Sequence, residues 1–430
     1  MLGPMHQLAI ELNKILENTI VERLLSEFGA RMYFPKGIAA QSAEANGKAT
    51  LYNATIGMPR NGEDPMIPDF TLQMLSPLGP TEAVSYAPNG GVPELRSIWT
   101  KEILRKNPSL KGKTTSAPTV VAGLTNGIFQ ISDLFVNPSD RVIVPELFWG
   151  NYTLIFEERK NADIVTYPFY TGEDGYNAAG LAATLEGRKK AIVVLNFPNN
   201  PTGYSPTRAE AEKIAAVLTA AAENGTDILA VCDDAYFGLN YEDDIYPESL
   251  FSLLAGAHPN LLAVKIDGTT KEDFSWGFRI GFVTFGAKGL EQAHYDALNR
   301  KLLGAIRSSI SSSSRPAQSL LIMALKNSEY EKQKAILCNE LYLRYKAAKD
   351  FLENEDCAPL VALPFNSGYF MSFSFPGKAE ALRLKLLDDY KIGTISIRND
   401  YLRVTYAAVD KTEIPTLFAH IRSAAAELGN

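Results

Sequence analysis

The sequence predicts an α/β protein: a large domain with a mostly parallel seven-stranded sheet between helices, and a smaller α+β domain. The chain has 430 residues, which is too long for one compact core. Between about residues 118 and 285, short apolar segments alternate with stretches of helical periodicity. After about residue 314, long helices with interleaved apolar and charged residues precede a few strands. These observations together predict two domains of different architecture.

The large domain is predicted to span residues 58–315. Its strand candidates are short, rich in β-branched residues and apolar on both sides, as is typical of parallel strands covered by helices on both faces. The strands are predicted at residues 118–122, 141–145, 163–167, 191–196, 228–233, 261–266 and 280–285. Helices are predicted at residues 126–135, 208–223 and 290–303. In such sheets, ligands bind at the carboxyl ends of the strands.

The smaller domain is predicted to combine residues 1–57 with residues 316–430. Residues 1–28 are interpreted as an amphipathic helix that packs with this domain, because charged residues interrupt the apolar positions that a signal peptide would need. The remaining helices are predicted at residues 316–353, 378–389 and 411–428, and the strands at residues 369–375, 393–397 and 402–406.

Composition and charge indicate a soluble globular enzyme. Hydrophobic residues make up 46% of the chain and charged residues 21%, and the formal net charge of −7 disfavours nucleic acid as the main partner. No uninterrupted apolar run is long enough to span a bilayer. The three cysteines and four histidines are scattered without metal-like spacing, which predicts a reduced, cytoplasmic protein without a metal site.

Lys271 is the leading candidate for a catalytic residue. It follows the strand predicted at residues 261–266, and Arg279 stands eight residues further on. A lysine amine can form an imine with an aldehyde cofactor, and a guanidinium can pair with a phosphate. Most lysines are solvated surface charges, so the functional interpretation of Lys271 and Arg279 depends on the other motifs at strand ends.

Two of those motifs follow the first strands of the large domain. The loop that starts at Gly123 lies between a strand and a helix, where free backbone N–H groups can form a cradle for an anion, although it also fits an ordinary turn. Trp149 stands just beyond the strand predicted at residues 141–145. Its indole can stack on a flat, electron-poor ring or simply fill the core.

Two further motifs follow the middle strands. Asn200 lies in a loop with two prolines, where its amide can donate to an anionic ring oxygen or serve a structural turn. Asp233 ends a buried strand, so its carboxylate needs a partner. A protonated pyridine nitrogen is one such partner, and capping of a helix is the alternative. Tyr236 stands within reach of the same ring's phenolic oxygen.

In combination, these motifs resemble the fold-type I, pyridoxal-phosphate-dependent aminotransferases of class I/II, with the aspartate aminotransferase group as nearest relative. The shared motifs are Asn-Pro-Thr-Gly at residues 200–203, Asp-x-Ala-Tyr at residues 233–236, and the lysine with an arginine eight residues on. The resemblance covers residues 52–409. It implies that Lys271 holds the cofactor as an imine and that Asp233 pairs with the pyridine nitrogen. Tyr236 and Asn200 are expected to bond the ring oxygen, and Trp149 to stack on the ring. The phosphate is expected to be bound by Arg279 together with Gly123, Leu124 and Thr125.

The resemblance also assigns residues outside that strand series. Tyr86 matches a tyrosine that reaches the phosphate of the neighbouring subunit, which implies a homodimer with shared sites. Arg403 matches the arginine that grips the substrate α-carboxylate, and Gly57 a glycine whose backbone faces the substrate. Each of these residues also has a purely structural alternative: Tyr86 can be an ordinary loop tyrosine, Arg403 a surface arginine on a strand, and Gly57 a turn glycine. The family's phosphate-binding serine is replaced by Gly268, so Thr269 or Thr270 is expected to substitute for it.

The implied reaction is a ping-pong transfer of an amino group between an L-amino acid and a 2-oxo acid. Arg307 resembles an arginine with which aspartate aminotransferases bind the distal carboxylate of aspartate or glutamate across the dimer. Arg307 can instead cap a helix or bind a surface acid, and Arg315 complicates the assignment. Two other functions stay open: a β-eliminating carbon–sulfur lyase on the same scaffold, and a non-catalytic regulator that binds the cofactor. The regulator is disfavoured because no basic stripe or helix-turn-helix pattern precedes residue 52.

Overall fold

A seven-stranded mixed sheet forms the centre of the larger part of the molecule. The computed structural model describes residues 4–16, 38–55, 59–62, 64–66, 68, 78–171 and 174–429, and the sheet is the largest within these ranges. Its strands are, in spatial order, Thr119–Val121, Gly281–Gly286, Leu261–Gly268, Asp227–Asp233, Lys190–Asn196, Arg141–Pro145 and Asp163–Tyr167. Only Gly281–Gly286 runs antiparallel to its neighbours among these strands. The predicted α/β fold is therefore confirmed.

The alternation of side chains along each strand fills two apolar layers, one on each face of the sheet. In Lys190–Asn196, Val193 and Leu195 belong to one buried cluster, and Ile192 and Val194 to the other. Helices cover both faces, which explains why these strands are apolar throughout. One face carries Pro93–Lys106, Ala178–Leu185, Arg208–Glu223 and Leu250–Leu254, and the other carries Leu124–Phe135 and Gln292–Ser309.

A second apolar core lies in the C-terminal part of the chain. A four-stranded antiparallel sheet in the order Val361–Ala362, Met371–Ser374, Tyr401–Val404 and Ile395–Ile397 packs with the helices Ser328–Asn354, Ala379–Asp388 and Ile414–Gly429. The predicted strand at residues 393–397 is interrupted at Thr394. Its first half, Ile392–Gly393, pairs in parallel with Tyr52–Asn53, and its second half joins the antiparallel sheet.

The long helix predicted at residues 316–353 is two helices, Arg315–Leu325 and Ser328–Asn354. The side chain of Asn327 accepts a hydrogen bond from the N–H of Glu329 at 2.9 Å, which starts the second helix as an N-cap. The sequence did not reveal this break because Lys326 and Asn327 are both tolerated inside helices.

The N-terminal region contributes the helix Gln7–Leu16 and a second helix, Ile38–Lys48, that the sequence did not predict. The rest of the helix predicted at residues 1–28 lies outside the described residues. Ile38–Lys48 contacts the C-terminal core: Gln41 exchanges hydrogen bonds with the backbone of Ser396, and Glu44 pairs with Arg383 at 3.1 Å. The predicted domain bounds remain a prediction. Within the described ranges, no helix combines the length and apolarity needed to cross a membrane.

Candidate active site

A cavity of about 120 Å³ opens where the carboxyl ends of the central strands meet. Asn196 and Asp233 are the last residues of adjacent parallel strands, and Lys271 follows the end of the next strand, Leu261–Gly268. Parallel strand ends bring side chains from distant parts of the chain to one edge of a sheet. The cavity is lined by Leu124, Thr125, Ile128, Trp149, Asn196, Asn200, Asp233, Ala235, Tyr236, Thr270, Lys271 and Arg279.

Asp233 presents a buried carboxylate to this cavity. The hydroxyl of Tyr152 donates to its Oδ2 at 2.5 Å, and the amide of Asn196 donates to its backbone oxygen at 2.9 Å. Its Oδ1 has no hydrogen-bond partner among the described residues. Burial raises the pKa of Asp233, while the Tyr152 hydrogen bond and the charge of Lys271 oppose that rise. One carboxylate oxygen is therefore left to accept from a ligand, and a cationic N–H is the donor that suits it best.

Lys271 brings its amine to the same cavity. Its Nζ lies 4.8 Å from the ring centroid of Tyr236. Burial lowers the pKa of Lys271 to about 8, with the carboxylate of Asp233 opposing that effect and the charge of Arg279 adding to it. A lysine with this pKa carries a useful fraction of neutral, nucleophilic amine near pH 7.

An anion cradle forms beside the lysine. The helix Leu124–Phe135 begins after Gly123, whose φ is 84°, and a β-carbon at that glycine would lie 2.4 Å from Nη2 of Arg279. Arg279 itself has a left-handed φ of 53°, which is a strained value for a residue with a side chain. The first-turn N–H groups of a helix lack intrahelical partners, so this end of the cavity suits a phosphate.

Gly268 replaces the expected serine for a steric reason. A β-carbon at this position would lie 2.6 Å from the carbonyl oxygen of Ile280 and 2.9 Å from the Cα of Gly281, on the antiparallel neighbouring strand. The hydroxyls of Thr269 and Thr270 are both buried and without a hydrogen-bond partner among the described residues. Only Thr270 of these two lines the cavity, whereas the predicted Thr269 is fully buried.

Asn200 connects the cavity to a buried arginine. Its Oδ1 accepts from Nη1 of Arg403 at 2.9 Å, which leaves the amide nitrogen as a donor. The guanidinium of Arg403 also donates to the carbonyl of Thr55 at 3.2 Å and lies 4.3 Å from the ring centroid of Phe370. No carboxylate pairs with Arg403 among the described residues, and burial lowers its pKa to about 10, with Tyr236 opposing that shift. A buried cation without an acidic partner suits the carboxylate of a small ligand.

Five predicted residues among those that the structure describes do not line the cavity of this chain: Gly123, Thr269, Arg403, Tyr86 and Arg307. Tyr86 is 93% exposed. Arg307 is exposed on the helix Gln292–Ser309, where its Nη1 donates to the hydroxyl of Ser311 at 2.6 Å. Gly57 lies outside the described residues. Arg315, the alternative to Arg307, is the first residue of the helix Arg315–Leu325.

Sequence reasoning missed two residues that matter to the geometry, Tyr152 and Asn196. Tyr152 precedes a stretch of π-helix, Thr153–Glu158, and its ring meets that of Trp149 edge-to-face at 5.6 Å. A tyrosine three residues after a candidate ring-stacking tryptophan was the available signal, because that spacing places both side chains on one side of a helical turn. For Asn196, the signal was a polar residue at the end of an apolar strand.

The residues present fit pyridoxal 5'-phosphate. The free Oδ1 of Asp233 matches the pyridine nitrogen of that group, and the partly neutral amine of Lys271 matches its aldehyde. The anion cradle at Gly123 matches its phosphate. On this α/β fold, such a site defines the fold-type I proteins that hold pyridoxal phosphate.

The chain belongs to the aminotransferase class I and II family, whose model matches residues 79–421. Members of this family depend on pyridoxal phosphate, so the predicted family and cofactor are confirmed.

An aspartate aminotransferase of Bacillus sp. (strain YM-2) is 30% identical over 205 residues, which are 47% of this chain and 49% of that protein. The chain thus spans about half the length of the relatives that it matches by sequence. A crystal structure of an aminotransferase from Anaerococcus prevotii has a TM-score of 0.83, covering 94% of this chain and 99% of that chain at 20% identity. Aspartate aminotransferase from Thermus thermophilus with maleate has a TM-score of 0.73, covering 93% and 99% at 18% identity. These structural likenesses show the fold.

Proposed function

We propose that the protein moves an amino group between an L-amino acid, aspartate or glutamate as one partner, and a 2-oxo acid by a ping-pong mechanism. One observation carries the proposal: the buried amine of Lys271, with its pKa near 8, shares a cavity with Asp233, whose Oδ1 has no partner among the described residues. This pairing supplies a proton-transfer group and an anchor for a cationic ring in one site.

Each residue has a definite task in this proposal. Bound pyridoxal phosphate would supply an electron sink for the charge that develops when the substrate loses its Cα proton. Lys271 accepts that proton on Nζ and returns it. Asp233 would keep the pyridine nitrogen protonated through its Oδ1. The remaining contacts to the cofactor would come from Gly123, Leu124, Thr125, Trp149, Asn200, Tyr236, Thr270 and Arg279.

Substrate binding rests on the arginines. Arg403 is buried, lacks an acidic partner among the described residues and contacts Asn200 at the cavity, which supports a grip on the α-carboxylate. The names of the sequence relatives favour aspartate. The distal carboxylate is assigned to Arg307 of a partner subunit, because Arg307 does not reach the cavity of its own chain. The homodimer, the role of Tyr86 across it and a cytoplasmic location belong to the same proposal.

A half-reaction screen tests the function. Purified protein loaded with pyridoxal phosphate is mixed with one amino acid at a time, and the cofactor absorbance is followed. We expect aspartate or glutamate to convert the cofactor to its amino form fastest, and an added 2-oxo acid to restore it. Release of pyruvate and ammonia from a cysteine conjugate, without such conversion, would identify the carbon–sulfur lyase instead.

A further inference from the structure

The two residues after Lys271 are acidic, and both are held by lysines from distant helices. Lys106, the last residue of the helix Pro93–Lys106, places its Nζ 2.8 Å from Oε1 of Glu272. Lys334, in the helix Ser328–Asn354, places its Nζ 2.7 Å from Oδ1 of Asp273 and 3.5 Å from Oε1 of Glu272. The turn that carries the reactive lysine is thereby tied to both cores of the molecule.

These ion pairs are screened from water, unlike most ion pairs of the chain. The side chain of Asp273 is 1% exposed and that of Lys334 is 10% exposed. Burial by itself lowers the pKa of Lys334, but Asp273 and Glu272 outweigh it and hold that pKa well above its usual range. Burial raises the pKa of Glu272, and the ammonium groups of Lys106 and Lys334 overcome this and lower it to about 2. Lys334 and Glu272 are therefore both charged at neutral pH, and removing either one would leave a buried charge without its partner.

The same helix makes a second contact with the turn. Tyr330 lies one helical turn before Lys334, and its hydroxyl donates to the backbone oxygen of Asp273 at 2.7 Å. From the C-terminal core, the hydroxyl of Tyr369 donates to the backbone oxygen of Lys271 at 3.1 Å. The backbone of residues 271 and 273 is thus held by two side chains of the C-terminal part, in addition to the ion pairs that Lys334 makes with the acidic side chains.

Glu272 also meets the loop that carries Tyr236. A β-carbon at Gly238 would lie 2.9 Å from Oε1 of Glu272, so the acid packs directly against the backbone that follows Asp233 and Tyr236. The ion pairs therefore hold the lysine turn against the loop that carries the carboxylate of the site. A shift of about 1 Å in a reacting group can slow a reaction by about two orders of magnitude, so this placement matters for chemistry as well as for folding.

We propose that Lys334 is a positioning residue for Lys271: by pairing with Asp273 and Glu272, it fixes the turn that presents the reactive amine and couples it to the helix Ser328–Asn354. The inference rests on the proposed function of Lys271. It adds a residue that lies far along the chain from Lys271 and that does not line the cavity.

The test compares Lys334→Met, Lys334→Arg and the control Lys332→Met. Lys332 lies two residues away on the same helix, is 68% exposed and pairs only with Glu329 among the described residues. Cofactor-free protein is mixed with pyridoxal phosphate, the covalent product is fixed with borohydride, and peptide mapping gives the rate of labelling at Lys271. We expect Lys334→Met to slow this labelling on the order of tenfold and to lower kcat more than it raises KM. Lys334→Arg should recover most of the rate, and Lys332→Met should match the unchanged protein.

A double variant keeps the test decisive if Lys334→Met does not fold. Lys334→Met combined with Asp273→Asn removes both charges of the buried pair, and Glu272 keeps its ion pair with Lys106. We expect it to fold and to label Lys271 about as slowly as Lys334→Met does, because both variants lack the same contact. Labelling at the unchanged rate in either folded variant overturns the inference. Absence of labelling at Lys271 in the unchanged protein overturns the proposed function instead.

Discussion

At the scale of single residues, the amine of Lys271 shows how function and stability compete. Its pKa in the folded protein, about 8, lies below the ordinary lysine value of 10.5. Between these values the unfolded chain binds more protons than the folded one, so the folded state is penalised below pH 8 and the penalty disappears as pH rises through 10.5. The proposed reaction needs a neutral amine, which would explain why the site retains a destabilising group.

We therefore expect Lys271→Met to stabilise the cofactor-free protein by about 1–3 kcal/mol at pH 7 while abolishing attachment of the cofactor. Urea denaturation at several pH values measures the difference. The gain should shrink between pH 8 and pH 10.5. A gain that is independent of pH, or a loss of stability, would contradict the shifted pKa.

A second prediction at this scale concerns Tyr152. Tyr152→Phe removes the donor to Oδ2 of Asp233 and leaves a buried carboxylate oxygen unpaired. We expect a loss of about 1–3 kcal/mol in unfolding free energy and a weaker affinity for pyridoxal phosphate, since Asp233 becomes easier to protonate. Equilibrium dialysis gives the affinity. Tyr167→Phe is the matched control, because Tyr167 shares a buried hydrogen bond with Tyr176 away from the cavity. Equal loss of cofactor affinity in both variants would contradict a role through Asp233.

At the scale of elements, the turn after the strand Leu261–Gly268 places two neighbouring threonines in different surroundings. Thr270 lines the cavity and Thr269 does not, although both hydroxyls lack partners among the described residues. Thr270→Val should weaken pyridoxal phosphate binding by about three- to tenfold, the value of one neutral hydrogen bond, and Thr269→Val should leave it unchanged. Titration with the cofactor and with inorganic phosphate measures both. The reverse result would favour Thr269, the other threonine that the sequence offers for this role.

The same turn shows what the sequence could and could not predict. Strands were predicted well because buried parallel strands are apolar runs, and Arg141–Pro145 and Asp163–Tyr167 have the predicted bounds. The absence of the family's serine at Gly268 was visible in the sequence. Its reason, the backbone of Ile280 and Gly281 on the next strand, is a contact in space.

Contacts between distant residues account for what the sequence could not predict in the site. The bond from Tyr152 to Asp233 joins residues 81 positions apart, and the bond from Asn200 to Arg403 joins residues 203 positions apart. Motif spacing identified Asp233, Asn200 and Arg403, because each lies in a short pattern. The spacing from Trp149 pointed to Tyr152 only weakly, because the role of Tyr152 depends on its contact with the carboxylate of Asp233.

At the scale of the whole molecule, two predicted residues, Tyr86 and Arg307, are exposed on the surface of the chain. Tyr86 is 93% exposed, and Val84, two residues before it, is 83% exposed. Arg307 is also exposed and has no carboxylate partner among the described residues. Exposed aromatic and apolar side chains are typical of an interface, which supports the proposed homodimer. A complete site would then require a homodimer.

If Arg307 binds the distal carboxylate across such a dimer, Arg307→Ala should raise KM for aspartate and glutamate far more than for aromatic or aliphatic amino acids. The physical reason is the loss of a charge-assisted pair that only dicarboxylates can form. Steady-state kinetics over a panel of amino acids measures it. Arg300→Ala, an exposed arginine on the same helix, is the control. Equal losses across the panel would remove the basis for a dicarboxylate substrate.

Mixing experiments then decide whether Arg307 acts on its own site or on its partner's. Subunits that carry Lys271→Ala and subunits that carry Arg307→Ala are unfolded together and refolded as mixed dimers. If Arg307 acts across the interface, each mixed dimer contains one site with both residues intact, and random pairing should restore about a quarter of the activity toward aspartate. If Arg307 acts within its own chain, no mixed dimer has a complete site and the activity should stay at the level of the separate variants.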